Sequence, residues 1–290
     1  MFKKMLYTGI SLSVLTIVSA CGNTTEEGES AEEIVKQSQT TMNDVESYVL
    51  NMDMLQTMKL DGMDEDAMSV RSTQTMEMTM DPMTFKQDMT MNYEDMDEFG
   101  EMDDSEGQVS YQSFFTETDG LFMEDPMMDR WMKFPESYLD DFLAMSDLQL
   151  HPDEQLAFLK DYVADLSLEE DDEYYYIALK TEDLNMEELM QELHGFDADI
   201  PGMEGMDELF GSMELRELDF SITIDKETYY QTAGSITMVM ALDMMGQEMI
   251  TNQTSEMTMS DFNTIEPIPV PDEVLENAEE ISEDEFTPGM

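Results

Sequence analysis

Cysteine is almost missing from this 290-residue chain: Cys21 is the only one, so no intrachain disulfide can form and stability must come from an apolar core. Histidine is nearly as scarce, with His151 and His194 alone. A histidine-dependent triad would need one of them beside a nucleophile, and no G-x-S-x-G pattern occurs. Basic residues number 12 against 69 acidic ones, for a net charge of −57. A body so short of positive charge repels nucleic acid and anionic lipid headgroups, which excludes nucleic-acid binding and electrostatic attachment to a membrane. Long apolar runs are lacking as well. The longest mostly apolar segment, Met5 to Val18, is too short to span a bilayer.

What is present explains the placement of the lone thiol. Met1-Phe2-Lys3-Lys4 is a basic start, Met5 to Val18 an apolar run, and Ser19 and Ala20 supply small residues for cleavage. That is the layout of a secretory signal peptide. Val18-Ser19-Ala20-Cys21 resembles the bacterial lipobox, in which the cysteine sulfur is acylated and becomes the new N-terminus. The resemblance implies a lipidated Cys21 holding the chain to the extracytoplasmic face of the cell membrane, where acyl chains gain about 0.8 kcal/mol per buried methylene. Residues 22 to 30, GNTTEEGES, bury almost nothing and read as a flexible tether. The chain is thus expected to divide into a signal peptide at 1–20, the lipidated cysteine and tether at 21–30, one domain at 31–280 and an acidic tail at 281–290.

Acidity of this order fits either disorder or a carboxylate-coated surface adapted to high external salt. Hydrophobic residues make up 41% of the chain, which favours a folded, salt-adapted body. Ser30-Ala31-Glu32-Glu33 is a capping box opening a helix over 31–44. From Leu50 the period changes to two. Leu50, Met52, Met54 and Met58 share one parity; so do Met76, Met78 and Met80, and then Phe85, Met89 and Met91. Polar residues occupy the other parity, the pattern of antiparallel strands with one buried and one solvated face. Asp81-Pro82 and Asp119-Gly120 mark turns. Residues 135–166 and 185–195 read as helices, and the Gly-rich 195–211 as a mobile loop. Phe220 and Ile222, then Met238 and Met240, alternate in two later strands. The prolines of EPIPVPDEV demand an extended, edge-type segment before a short helix. Strands around a helical insert make the class α+β.

The 34 methionines pose the functional question. Inward thioethers can fill an ordinary dry core, or line a cavity that repacks around lipid-like ligands of variable shape. Both readings stand on the residues alone. Copper binding is disfavoured, because i, i+2 thioethers are where burial alone places apolar residues and no His or Cys lies near. Large twisted sheets tend to curl, and a concave face must be filled by side chains, helices or ligand.

The order of a helix after a lipobox, Met-rich strands, a helical insert, the DFSITIDKETYYQTAGSITM hairpin and a closing DFNTIEPIPVPDEV resembles uncharacterised Gram-positive lipoproteins of LolA/LppX-like lipoprotein-carrier fold. The resemblance implies a strongly curved antiparallel sheet, an unclosed β-barrel, with helices packed in or over its concave face and an apolar cavity for acyl chains.

Other sites carry less. Asp95, Asp97, Gly100, Glu101, Asp103 and Glu106 fall at EF-hand ligand spacings, but Phe99 occupies a ligand position, so an acidic hairpin tip is the simpler reading and no metal or cofactor is expected. Carboxylate spacing is uninformative where acids are everywhere, and no catalysed reaction is expected. Trp131 fits a core position in an amphipathic strand. The sequence therefore leads to a lipid-anchored extracytoplasmic protein holding a lipid or other amphiphile. The expected lining is Met52, Met54, Met76, Met78, Met89, Met91, Phe220, Ile222, Met238 and Met240. The alternative is an interaction or sensor subunit with a filled core, docked on a membrane protein.

Overall fold

The computed structural model describes Thr25 and residues 28–60, 68–94, 107–126, 128, 130–135, 166–180, 213–244 and 247–281. Cys21, the signal segment, both histidines, the acidic segment 95–106 and the Gly-rich 195–211 lie outside the described residues, as do the helix expected over 185–195 and all but the end residues of the one expected over 135–166.

Ser30 opens the first helix, α1 (Ala31–Asn43), through the expected capping box. Its hydroxyl accepts from the Glu33 N–H at 3.2 Å, and the Glu33 carboxylate accepts from the Ser30 N–H at 3.0 Å. The Ser30 N–H, and then the Ser30 hydroxyl donating to the same carboxylate oxygen at 3.0 Å, hold the Glu33 carboxyl below the usual carboxylate range. Ile34, Val35, Ser38 and Met42 form the buried stripe.

Among the described residues twelve strands follow: β1 (Ser47–Leu60), β2 (Met68–Met80), β3 (Met83–Glu94), β4 (Gln108–Thr116), β5 (Gly120–Asp125), β6 (Arg130–Lys133), β7 (Ser167–Glu170), β8 (Tyr174–Leu179), β9 (Met213–Asp225), β10 (Gln231–Met244), β11 (Gln247–Ser260) and β12 (Glu279–Glu280). The second helix, α2 (Asp272–Asn277), lies between the last two. All twelve belong to one sheet, ordered β12-β6-β5-β4-β3-β2-β1-β11-β10-β9-β8-β7, antiparallel except for the β12–β6 pair. The strand β7 was not expected from the sequence, which reads as helix up to its first residue.

The sheet corrects the expectation of a strongly curved, unclosed barrel with helices in its concave face. It is open, with β12 and β7 at its two edges, and is neither closed nor strongly curled. The reason lies in its backbone register. Curling on this scale needs bulges or glycine kinks. The ladders from β11 through β1, β2 and β3 to β4 run without a register shift, and the shifts occur in the β9–β10 pair. Alternation specifies two faces and leaves curvature open.

The core sits on one face, at the end of the sheet covered by α1. Ile34, Val35 and Met42 pack there with Tyr48, Leu50, Met76, Met78, Phe85 and Phe115. The Phe85 and Phe115 rings stack at 5.4 Å. A smaller cluster forms on the opposite face, where Val270 and Val274 pack against Phe114 and Phe122, with Trp131 beside them. The proline-rich segment thus covers a patch of the sheet without pairing into it, pinned where the Ile268 N–H donates to Thr84 Oγ1 at 2.9 Å.

Candidate functional site

Strand register brings all ten expected lining residues to one face. Met52 lies opposite Met257 on one side and Gln74 on the other. Met89 lies opposite Gln74 and Tyr111, and Met91 opposite Ser72 and Val109. Met238 and Met240 lie opposite Gln253 and Thr251. Phe220 and Ile222 face Ile236 and Gly234. Because successive side chains alternate, directly opposed partners share a face.

Burial divides the ten into two groups. Met76, Met78, Phe220 and Ile222 are core residues, buried among the side chains that α1 covers. Met52, Met54, Met89, Met91, Met238 and Met240 are half-buried and run along the strands away from that end. Met52 packs against the core's margin.

Between and beside the second group runs a polar belt that alternation-based reasoning passed over. Ser72 and Gln74 on β2, Gln87 on β3, Tyr111 and Ser113 on β4, and Gln253 and Ser255 on β11 all carry the methionine parity. The signal was present as gaps. The apolar parity of β2 skips from Val70 to Met76, and that of β3 skips Gln87.

The belt engages the sulfurs directly. The Tyr111 hydroxyl donates to Met89 Sδ at 2.8 Å, and the Gln87 amide approaches the same sulfur at 3.8 Å. Tyr93 donates to Met91 Sδ at 3.6 Å. Ser113 donates to Gln87 Oε1 at 3.2 Å, and Gln253 Nε2 to Ser255 Oγ at 3.5 Å. Burial, and then the neighbouring Tyr93, push the Tyr111 phenol above its ordinary pKa, so it stays a donor. Polarizable thioethers beside fixed amides and hydroxyls suit a ligand with an apolar body and a polar end.

A second arrangement involves the segment leading into α1. The Glu29 carboxylate accepts from Tyr175 at 2.8 Å and from Tyr229 at 3.2 Å, and Lys226 Nζ lies 4.9 Å from the Tyr175 ring centre. The Glu29 N–H donates to Thr25 Oγ1 at 2.9 Å. Trp131 is half-buried on the opposite face, its ring 5.7 Å from that of Phe114. Among the described residues no group of three or more His, Cys, Asp or Glu side chains is placed to hold a metal ion, and no helix is long and apolar enough to cross a membrane.

The model of a family of unknown function (DUF6612) matches residues 30–279. No curated protein matches the chain. Among solved structures the chain is similar to a DUF1329 family protein from Desulfovibrio piger ATCC 29098. Identity is 7%, with 80% of this chain and 90% of that chain covered, and the TM-score of 0.23 is too low to carry an argument about fold or function.

Proposed function

We propose, from the premise that the chain belongs to the DUF6612 family of unknown function, that it is a lipid-anchored extracytoplasmic binding protein whose methionine-rich sheet face holds a lipid or other amphiphile. One observation carries the reading: six half-buried methionines share a face with a belt of amides and hydroxyls, beyond the end that α1 covers. A core built only for stability gains from replacing such polar residues with apolar ones, because half-satisfied polar groups cost free energy on burial. A surface for an amphiphile uses both kinds of group. Binding without a catalysed reaction is the whole of the proposed activity.

The anchor is proposed from the signal architecture and the lipobox-like Val18–Cys21. The hydrogen bonds of Thr25 and Glu29 support a short link between Cys21 and the domain, since Thr25, four residues after the cysteine, already bonds Glu29.

Native mass spectrometry of the chain, extracted from membranes in a detergent-free polymer, tests the reading. A discrete adduct with lipid mass beyond the acylated Cys21 supports it. Protein without an adduct that also rejects fluorescent fatty acids overturns it, and a stable protein partner in that preparation supports the interaction-subunit reading instead.

A further inference from the structure

On the face opposite the methionines, the strands assemble a second array that the amphiphile reading does not use. Thr75 lies opposite Asp88, and Asp88 opposite Gln112. Ser113 lies opposite Met123, which puts Glu124 beside Gln112; Glu124 in turn lies opposite Trp131. One cross-strand row therefore runs through hydroxyl, carboxylate, amide, carboxylate and indole. A neighbouring row adds Thr73, Thr90 and Ser110, and a concavity of about 490 Å³ is lined by the hydroxyls, carboxylates and amide of the two rows, together with Gln74, Met89 and Tyr111 of the alternate parity, with Trp131 next to Glu124 outside it. That volume lies within the range of small-molecule sites.

The polar groups are fixed before any ligand arrives. The Gln112 amide donates to Asp88 at 2.5 Å, the Lys86 ammonium meets the other Asp88 oxygen at 2.9 Å, and the Gln112 N–H donates to Glu124 at 3.3 Å. Thr90 and Ser110 share a hydrogen bond at 2.9 Å. Burial raises the Asp88 carboxyl, but Gln112 and Lys86 together bring it below its ordinary value, so it accepts hydrogen bonds at neutral pH. Groups held in this way lose little side-chain entropy on binding.

We propose that this polar face binds a neutral carbohydrate, with Asp88, Gln112 and Glu124 contacting the sugar hydroxyls and Trp131 bordering the site. Sugars present closely spaced hydroxyls that need acceptors and donors together, and carboxylates, an amide and side-chain hydroxyls supply both. Strands about 4.8 Å apart repeat the polar groups at a spacing suited to successive sugar rings. The indole borders the row with the apolar surface on which C–H faces of sugars pack. The −57 charge of the chain argues against an anionic polymer. A bound cation is disfavoured by the Lys86 ammonium already on Asp88 and by the lack of a three-group ligand set among the described residues.

Trp131 is the only tryptophan in the chain, so its fluorescence reports on this face. The full-length chain, reconstituted in phosphatidylcholine nanodiscs, is titrated with maltotetraose, cellotetraose and chitotetraose. A saturable change in Trp131 emission with at least one of them is expected. Glu124→Ala and Gln112→Ala are each expected to weaken that binding about tenfold, while Thr258→Val, on the same face but outside the concavity, leaves it unchanged. Glu124→Gln, which keeps the side-chain shape, serves if the alanine variant fails to fold. No saturable change with any of the three sugars up to about 10 mM overturns the proposal, and so does binding that survives both Glu124→Gln and Gln112→Ala. Retention of an amphiphile is unaffected by these substitutions, which separates this site from the methionine face.

Discussion

Tyr175 donates its hydroxyl to the Glu29 carboxylate at 2.8 Å, joining residues 146 positions apart and fastening the segment that precedes α1 to strand β8. Between Cys21 and Thr25 the chain spans about 14 Å at most, at roughly 3.5 Å per residue. If Cys21 carries lipid, the end of the sheet bearing the Asp171–Glu173 and Asp225–Thr228 turns is held close to the bilayer.

Removing that joint should free the segment without disturbing the sheet. Glu29→Ala is expected to lower amide-exchange protection at residues 28–30 about tenfold, a loss of 1.4 kcal/mol in local opening. Protection in β8 and β9 should persist. Equal protection at residues 28–30 in both proteins contradicts the role given to Glu29.

The same contact predicts a sensitivity to alkali. Burial, then the Glu29 carboxylate, raise the Tyr175 phenol well above its ordinary pKa of about 10. The native state favours the neutral phenol. Its contribution is complete below the unfolded-state pKa and is lost as pH rises above it toward the folded value. Tyr175→Phe should therefore lose less stability than the unsubstituted chain between neutral pH and about pH 11. Parallel alkaline profiles of the two proteins in urea would count against it.

Core and belt methionines should respond differently to truncation. Met78 is fully buried beneath α1, so Met78→Ala is expected to cost about 2–5 kcal/mol in urea unfolding. Met54 is half-buried between Ser72 and Ser255, and Met54→Ala should cost well under half as much. A Met54→Ala cost equal to that of Met78→Ala would make the belt an ordinary core.

Charge sets a further expectation. With 69 acidic residues against 12 basic ones, self-repulsion is long-ranged in dilute buffer and screened within about 3 Å at 1 M salt. The thermal midpoint should rise from low to molar sodium chloride, and rise less in potassium-free dilute buffer supplemented only with uncharged osmolyte. A midpoint that is flat or falls with salt contradicts the salt-adapted surface.

Much of the sheet was legible because its signal is local. Period-two alternation placed β1, β2, β3, β9 and β10, Ser30 and Glu33 announced α1, and Asp81-Pro82 and Asp119-Gly120 marked turns. Curvature was not legible, since it depends on where ladders shift register and not on which side chains alternate. The strand β7 was missed because four residues, Ser167 to Glu170, offer too little pattern beside an apparent helical stripe. The ten expected lining residues do share a face, yet burial of Met76, Met78, Phe220 and Ile222 depends on what packs over them, which parity cannot state. The belt of Gln74, Gln87 and Tyr111 was written in the sequence as interruptions. Interruptions read as noise until cross-strand register lines them up.

Methyl-labelled methionine NMR tests the central claim most directly, because each sulfur then reports for itself. On titration of the full-length chain with a phospholipid or a fatty acid, the methyl resonances of Met52, Met54, Met89, Met91, Met238 and Met240 should shift together and saturate, while those of Met78 and Met259 remain in place. Unmoved belt methyls under saturating amphiphile, or shifts confined to exposed Met128, would contradict the account.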